Sequence, residues 1–281
     1  MTRYETAKLA DIEIHPDTRE LLDSLMKNQV IQNAQRLGGW FAGGFARQVL
    51  SGNSIKVYFA GSADAYKRPG DIDIFFPNVA TAAEMVADPG GHLRDSYGGF
   101  AKETRVIARV ADIQIQLVNA PDLCHPLEES LERFDFKNCK VAIKGDEIIF
   151  PEGWHDLEKT QLLEVANNSS PFLGSRIVKY IEHRDMKGIT PSSIPLLADW
   201  IYRAAASDFP GYEERHLQGF RAAIVNLNKD KLLDPTFLTL FLGKWSAFKR
   251  VPRNYGHYFD TVQVDWALSE LAKINDKHTK V

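Results

Sequence analysis

The chain has 281 residues, of which 44% are hydrophobic and 25% are charged, and its formal net charge is −3. This length can bury one large or two modest cores, and the composition excludes a disordered, collagen-like or disulfide-scaffold protein. No apolar run approaches the roughly 20 residues of a membrane helix, and the charged N-terminal sequence does not fit a signal peptide. Two cysteines, Cys124 and Cys139, fit a reducing compartment, so we expect a cytoplasmic protein without a membrane partner.

The first half of the chain alternates short apolar runs with glycine and proline. Its β-branched and aromatic residues predict strands in four segments, residues 55–61, 71–77, 106–118 and 140–150. Helices are predicted over residues 45–50 and 79–87, and from about residue 157 the apolar spacing is helical throughout. The sequence therefore predicts an α+β head over residues 1–152 and an all-helical C-terminal domain over residues 153–281.

The most informative motif is the acidic segment GDIDIFF, residues 70–76. Alternate side chains of a strand point to opposite faces, so Asp71 and Asp73 share one face, and Ile72, Ile74 and Phe76 share the other. Two neighbouring carboxylates repel each other, and a divalent cation relieves that repulsion. Mg²⁺ prefers oxygen ligands and leaves room for substrate phosphates, so the pattern favours a magnesium site. A solvated strand edge with two aspartates is the alternative.

A glycine turn precedes the acidic strand. The segment WFAGGFARQVLSG begins as a short apolar strand, turns at Gly43 and Gly44 and continues as a helix. Glycines let backbone amides approach a phosphate closely, and Arg47 lies one turn into the helix, near the same end. The alternative is a tight strand-to-helix turn that needs glycine only for its backbone angles.

Three segments in this order resemble the head domain of poly(A) polymerases and CCA-adding tRNA nucleotidyltransferases, which belong to the polymerase β-like nucleotidyltransferase superfamily. AGGFARQVLSG with the later DIDI is similar to the signature GGxVRDxLLG and DIDI. Residues 126–143, PLEESLERFDFKNCKVAI, resemble LEEDLxRRDFTINALAY, and residues 145–163 resemble GxIIDPFGGxxDLxxKxLR. The resemblance covers approximately residues 41–188 and implies a nucleotidyltransferase-type mixed sheet.

The resemblance implies an enzyme that transfers a nucleoside monophosphate from an NTP to a hydroxyl acceptor, with Mg²⁺ as cofactor and an RNA or tRNA 3′ end as acceptor. It implies that Asp71 and Asp73 are catalytic and hold the metal. The residues that it assigns to the nucleotide are Gly43, Gly44, Arg47, Arg133 and Asp135. For the last two, a surface ion pair and a local backbone cap are the respective alternatives.

The chain departs from the family pattern between the glycine turn and the acidic strand. This connection is longer than in the family, and it contains Gly61 and Ser62, preceded by the strand-like IKVYFA. A glycine-serine pair before D-x-D is typical of minimal nucleotidyltransferases. Gly61 and Ser62 are therefore a second candidate for the phosphate-binding turn, beside Gly43 and Gly44.

A second departure concerns the third carboxylate that the superfamily often supplies from a later strand. In ADIQIQLVN the nearest positions are Gln114 and Gln116, which are neutral and neither strong metal ligands nor bases. Asp112 would take the place of that carboxylate, as a third metal ligand, after a register shift of one pair.

The EDxxR motif, which sets the choice of base in the CCA-adding enzymes, has no convincing counterpart, so the sequence does not predict the nucleotide transferred. Its absence leaves open a second interpretation, a minimal nucleotidyltransferase that modifies a small molecule or a protein, as resistance and toxin enzymes do. The neutral Gln114 and Gln116 leave open a third, a non-catalytic module that binds nucleotide or RNA. The oligomeric state is not predicted.

Overall fold

The chain divides into two compact units, Met1–Lys159 and Thr160–Val281. The structure, a computed structural model, describes residues 2–55, 71–87, 94–95, 104–110, 113–118, 123–170, 172–183, 186–206 and 229–249.

The first unit combines short helices with one sheet. Its described helices are α1 (Pro16–Lys27), α2 (Gln29–Arg36), α3 (Gly44–Leu50), α4 (Val79–Ala87), α5 (Leu127–Glu132) and α6 (Trp154–Thr160), with a 3₁₀ turn at Lys137–Cys139. The helices predicted over residues 45–50 and 79–87 are confirmed as α3 and α4. Local capping explains where α2 begins, because the Asn28 side chain accepts a hydrogen bond from the Val30 amide at 2.9 Å.

The sheet has eight described strands in the order β1-β8-β7-β2-β3-β6-β5-β4. The strands are β1 (Tyr4–Lys8), β2 (Trp40–Ala42), β3 (Ile72–Phe75), β4 (Arg94–Asp95), β5 (Thr104–Val110), β6 (Ile113–Val118), β7 (Ala142–Lys144) and β8 (Glu147–Pro151). Strands β3 and β6 run parallel, and the other neighbours run antiparallel. The predicted α+β fold with a mixed sheet is therefore confirmed.

Two predicted strands were wrong in their extent. Residues 140–150 form two strands instead of one, because β7 and β8 are antiparallel neighbours. Residues 106–118 do not form a continuous strand, because β5 and β6 are antiparallel neighbours and Val110 pairs with Ile113. The chain direction of β6 is therefore opposite to that of β5, and the intervening residues 111–112 lie outside the described residues. The reversal makes β6 run parallel to β3, which sets the register beside the acidic strand. The strand predicted over residues 55–61 lies outside the described residues except for Ile55.

Both faces of the central sheet carry buried apolar residues. Ile72, Ile74 and Phe76 lie in the larger core on one face, as the alternation predicts. A smaller apolar cluster consists of Trp40, Ala42, Phe75, Val118, Leu131 and Ala142. Because Phe75 is two positions from Asp73, strand alternation puts Asp73 on the face of the smaller cluster.

The first unit continues past residue 152 because Trp154 is part of its core. Its side chain is 1% exposed, and its indole Nε1 donates to the Asn138 carbonyl oxygen at 2.9 Å. The Trp154 ring also contacts Phe150 of β8, with ring centroids 6.5 Å apart. These contacts hold α6 in the unit that contains the sheet.

The N-terminal strand is tied to α5 through one carboxylate. Glu132 accepts hydrogen bonds from the Thr2 amide at 3.0 Å, the Tyr4 hydroxyl at 3.2 Å and the buried Lys140 ammonium at 2.6 Å. Partial burial alone would raise the pKa of Glu132, but the hydrogen bonds from Lys140 and Thr2 lower that pKa from 4.5 to about 2. Burial, followed by the Glu132 charge, raises the pKa of Tyr4.

This depressed pKa predicts an acid-sensitive contribution to stability. The ionised Glu132 should stabilise the fold above pH 4.5, and the contribution should be lost as pH falls from about 4.5 towards 2. We expect Glu132→Gln to lower the free energy of unfolding at neutral pH by about 2–3 kcal/mol. Over this acidic range, the free energy of unfolding of the variant should decrease less with falling pH than that of the wild type. Urea titrations at several pH values measure both effects. The exposed Glu128 on the same helix is the control, and an equal loss in Glu128→Gln would contradict the assignment.

The second unit is helical with one short strand pair. Its described elements are α7 (Leu173–His183), α8 (Ile194–Ala206), α9 (Pro235–Lys249), 3₁₀ turns at Pro191–Ser193 and Lys229–Leu233, and the parallel pair β9 (Leu162–Leu163) and β10 (Gly188–Ile189). Trp200 packs so closely on Gly174 that a Cβ there would lie 2.8 Å from its ring. Among the helices that the structure describes, none combines the length and apolar character needed to cross a bilayer.

Candidate nucleotide and metal site

The two aspartates of the acidic motif lie at the start of β3. Asp73 is the second residue of the strand, and Asp71 immediately precedes it. Both side chains are partly exposed, whereas the intervening Ile72 is fully buried. The two carboxylates are therefore open to solvent at one end of a central strand.

The sheet register brings this pair to the glycine turn. Asp73 lies directly opposite Ala42 in the antiparallel pair of β2 and β3, and Ala42 is the residue before Gly43. The antiparallel direction places the start of β3, with Asp71, at the end of β2 where the turn begins. The structure thus unites two motifs that are 27 residues apart, counted from Gly44 to Asp71. The rival turn at Gly61 and Ser62 lies outside the described residues.

The turn needs glycine at position 43. Gly43 has φ 79° and ψ −139°, a region of backbone space that residues with a Cβ essentially do not occupy. A Cβ at this position would also lie 3.1 Å from Cε1 of Phe134, and the Gly43 amide donates to the Val141 carbonyl oxygen at 3.1 Å. Gly44 follows as the first residue of α3.

The structure places Arg47 in a buried ion pair. Its side chain is 6% exposed, and its Nε donates to Oε2 of Glu158 at 3.2 Å. Its Nη2 forms a second, shorter bond to Oε1 of the same carboxylate. The sequence resemblance assigns Arg47 to the nucleotide and gives no role to Glu158. No local signal could have found Glu158, because the partners are 111 positions apart.

The remaining predicted residues lie just beyond α5. Arg133 is exposed at the C-terminal end of α5, and Asp135 is buried. Between them the partly buried ring of Phe134 lies against the glycine turn and contacts Phe75, with ring centroids 5.4 Å apart. This segment therefore borders the turn, although the side chains of Arg133 and Asp135 differ sharply in exposure.

Strand β6 supplies a neutral residue beside the aspartates. Gln116 is opposite Asp73 in the parallel pair of β3 and β6, and it is partly exposed. Asp112, the predicted third ligand, lies outside the described residues. Among the residues that the structure does describe, no group of three or more acidic, histidine or cysteine side chains is arranged to hold a metal ion.

The donors that the structure brings together fit Mg²⁺. Two partly exposed carboxylates supply the anionic oxygens that this ion prefers, and it commonly keeps water and substrate phosphate as its other ligands. The adjacent turn has no side chain of its own at Gly43 or Gly44, but the ring of Phe134 lies against Gly43 and the Gly43 amide is bonded to the Val141 carbonyl oxygen. The residues that would hold the ion are Asp71 and Asp73.

Fold and site together describe an α+β protein with an aspartate pair and a glycine turn at one end of two neighbouring strands. The model of the Gabija anti-defense 2 family (Gad2) matches residues 15–159, just over half of the chain. The chain belongs to this family. The matched residues end where the first unit ends, and they include seven of the eight described strands of the sheet, β2 to β8, with the turn, the aspartate pair and Glu158.

Solved structures with distant similarity are tRNA-processing enzymes. A CCA-adding enzyme with CTP has 16% identity and a TM-score of 0.46, covering 95% of this chain and 71% of that one. An apo tRNA-processing enzyme has 15% identity and a TM-score of 0.45, covering 97% and 79%. Similarity at this level supports no inference about activity. A comparison with curated proteins finds no match to this chain.

Proposed function

We propose that the chain is a Mg²⁺-dependent nucleotidyltransferase. In the proposed reaction an acceptor oxygen bonds to the α-phosphorus of an NTP, the bond from that phosphorus to the bridging oxygen breaks, and pyrophosphate leaves. The acceptor proton passes to solvent. The observation that carries the proposal is the register of β2 and β3, which sets Asp73 opposite the residue before Gly43.

Each part of the site has a distinct role in this proposal. Asp71 and Asp73 hold the metal, and the turn at Gly43 and Gly44, which carries no side chain of its own, receives the triphosphate. When bound, Mg²⁺ lowers the pKa of the acceptor hydroxyl and neutralises charge on the leaving pyrophosphate. Arg133, which is exposed beside the turn-bordering Phe134, would contact a phosphate of the NTP. Asp112 stays a candidate third ligand.

The family description favours an acceptor other than tRNA. Membership in an anti-defense family directed at Gabija fits the second interpretation of the sequence, in which the modified hydroxyl belongs to a protein or a small molecule. We propose a protein or small-molecule acceptor from the Gabija system. The RNA 3′ end remains the competing acceptor, because the resemblance over residues 41–188 is to enzymes that extend RNA.

A transfer assay tests the activity and the acceptor together. The full-length chain is incubated with Mg²⁺ and each radiolabelled NTP, in parallel with purified Gabija proteins, a small-molecule extract, or bulk tRNA. We expect pyrophosphate release and label on the protein or small-molecule fraction, both abolished by EDTA. Label on tRNA would instead identify an RNA 3′ end as the acceptor. NTP binding without pyrophosphate release in any arm would favour the non-catalytic module and contradict the proposal.

The neutral Gln116 gives a prediction about the metal. Gln116→Glu would place a third carboxylate beside Asp73, and more ligand charge strengthens binding of a divalent cation. We expect the dissociation constant for Mn²⁺, a spectroscopic substitute for Mg²⁺, to fall by roughly tenfold. Electron paramagnetic resonance of unbound Mn²⁺ measures this change. The control is Gln32→Glu, which adds the same charge at an exposed position on α2; equal affinities in the two variants would contradict the placement of Gln116 at the metal.

A further inference from the structure

A buried polar network joins the helix of the glycine turn to the end of the first unit. Arg47 and Glu158 form two parallel contacts through Nε and Nη2, which is the bidentate geometry that fixes a guanidinium in orientation as well as position. Their side chains are 6% and 13% exposed. Little solvent is therefore available to replace either partner.

The same carboxylate is anchored from a second direction. Asn138, which is fully buried, donates from Nδ2 to Oε2 of Glu158 at 3.2 Å. The Asn138 carbonyl oxygen in turn accepts the indole hydrogen bond of Trp154 at 2.9 Å. Both oxygens of Glu158 thus have donors, and the orientation of the carboxylate is set by groups that are themselves held in the core.

The network reaches the turn through the backbone of Arg47. The Arg47 amide donates to the Gly43 carbonyl oxygen at 2.9 Å, in the first turn of α3. The backbone of Arg47 therefore bonds the turn while its side chain bonds Glu158. The ion pair therefore restrains the residue whose amide holds the Gly43 carbonyl oxygen.

We propose that Glu158 is a positioning residue for the phosphate-binding turn, and that Arg47 connects the two instead of contacting phosphate itself. Breaking a buried ion pair leaves one charge without its partner, which strongly opposes removal of the guanidinium to a phosphate. This inference rests on the proposed function only in assigning the turn to the triphosphate of an NTP.

Paired substitutions separate a positioning role from direct contact with phosphate. We measure the dissociation constant of a non-hydrolysable NTP with Mg²⁺ for the wild type, Arg47→Ala, Glu158→Ala and the double variant. A positioning role predicts that each single variant weakens binding by about tenfold, that the two agree within about twofold, and that the double variant is no worse. Much weaker binding by Arg47→Ala than by Glu158→Ala would overturn the inference.

The variant Glu158→Gln tests the inference by whether NTP binding becomes tighter or weaker. It also provides a result if the alanine variants fail to fold. If Arg47 were a phosphate ligand held back by Glu158, neutralising the carboxylate would release it and tighten NTP binding. A positioning role predicts weaker binding. Glu132→Gln, which disrupts the ion pair with the buried Lys140, should leave NTP binding unchanged, because within the described residues that pair makes no bond to α3.

Failure of this inference and failure of the proposed function have different signatures. A folded wild type that does not bind NTP contradicts the proposed function. Tighter binding by Glu158→Gln, in a wild type that does bind NTP, contradicts the positioning role alone. An equal loss in Glu132→Gln would likewise overturn it, because the effect would then follow general destabilisation.

Discussion

Replacement of Asp73 by asparagine is expected to lower the rate of nucleotide transfer by at least about a thousandfold, or roughly 4 kcal/mol in the activation barrier. Asparagine keeps the size of the side chain and removes the charge that would hold the metal. Asp73 is partly exposed at the start of β3, so the fold should survive the change. Asp71→Ala should have an effect of the same order, because the two carboxylates act on one ion.

The control for this prediction is Asp23→Asn, which removes the same charge from an exposed position on α1. Its transfer rate should equal that of the wild type. Circular dichroism and thermal unfolding establish that each variant is folded. Turnover at the wild-type rate in a folded Asp73→Asn or Asp71→Ala protein would refute the assignment of the aspartates.

Gly43→Ala is expected to lower the free energy of unfolding by about 1–3 kcal/mol and to remove detectable NTP binding. The backbone angles at this position are unfavourable for alanine, and the added Cβ would press on Phe134 at 3.1 Å. Phe134 is packed against Phe75, so its ring has little room to withdraw. Chemical denaturation gives the stability, and calorimetry with a non-hydrolysable NTP gives the binding.

Gly145→Ala is the matched control for the glycine substitution. Gly145 also has a positive φ, 61°, in the turn between β7 and β8, but nothing lies within 4 Å of a Cβ built there. We expect a loss of about 1 kcal/mol for this variant and unchanged NTP binding. Equal effects of the two substitutions on NTP binding would contradict the role of the Gly43 turn.

The aspartate pair and the glycine turn could be predicted because their signals are local. Alternation over GDIDIFF predicts which side chains share a face, and the burial of Ile72, Ile74 and Phe76 confirms the apolar side. A glycine pair after a short apolar strand predicts the turn, and the structure gives Gly43 a positive φ. Both inferences need only the geometry of one segment.

The pairing of strands could not be predicted from those local patterns. The alternation over residues 106–118 is the same for one long strand and for a hairpin, so the reversal between Val110 and Ile113 was missed. The position of Gln116 opposite Asp73 depends on that reversal, because only the second arm runs parallel to β3. The sequence alone left Gln114 and Gln116 as equal candidates for that place.

The partner of Arg47 was missed for a related reason. An arginine one turn after a glycine pair resembles a phosphate ligand, and nothing near it in sequence indicates another partner. Its contact with Glu158 depends on the packing of α6 through Trp154. Long-range packing of this kind decides whether a charged side chain serves a substrate or holds the fold.

The most direct test of the central claim is the binding of Mn²⁺ in the presence of a non-hydrolysable NTP, measured by electron paramagnetic resonance. The wild type should remove Mn²⁺ from solution in an NTP-dependent manner, and Asp71→Asn and Asp73→Asn should each lose most of that binding while remaining folded. Unchanged Mn²⁺ affinity in both folded variants would contradict a metal site formed by these two aspartates beside the glycine turn.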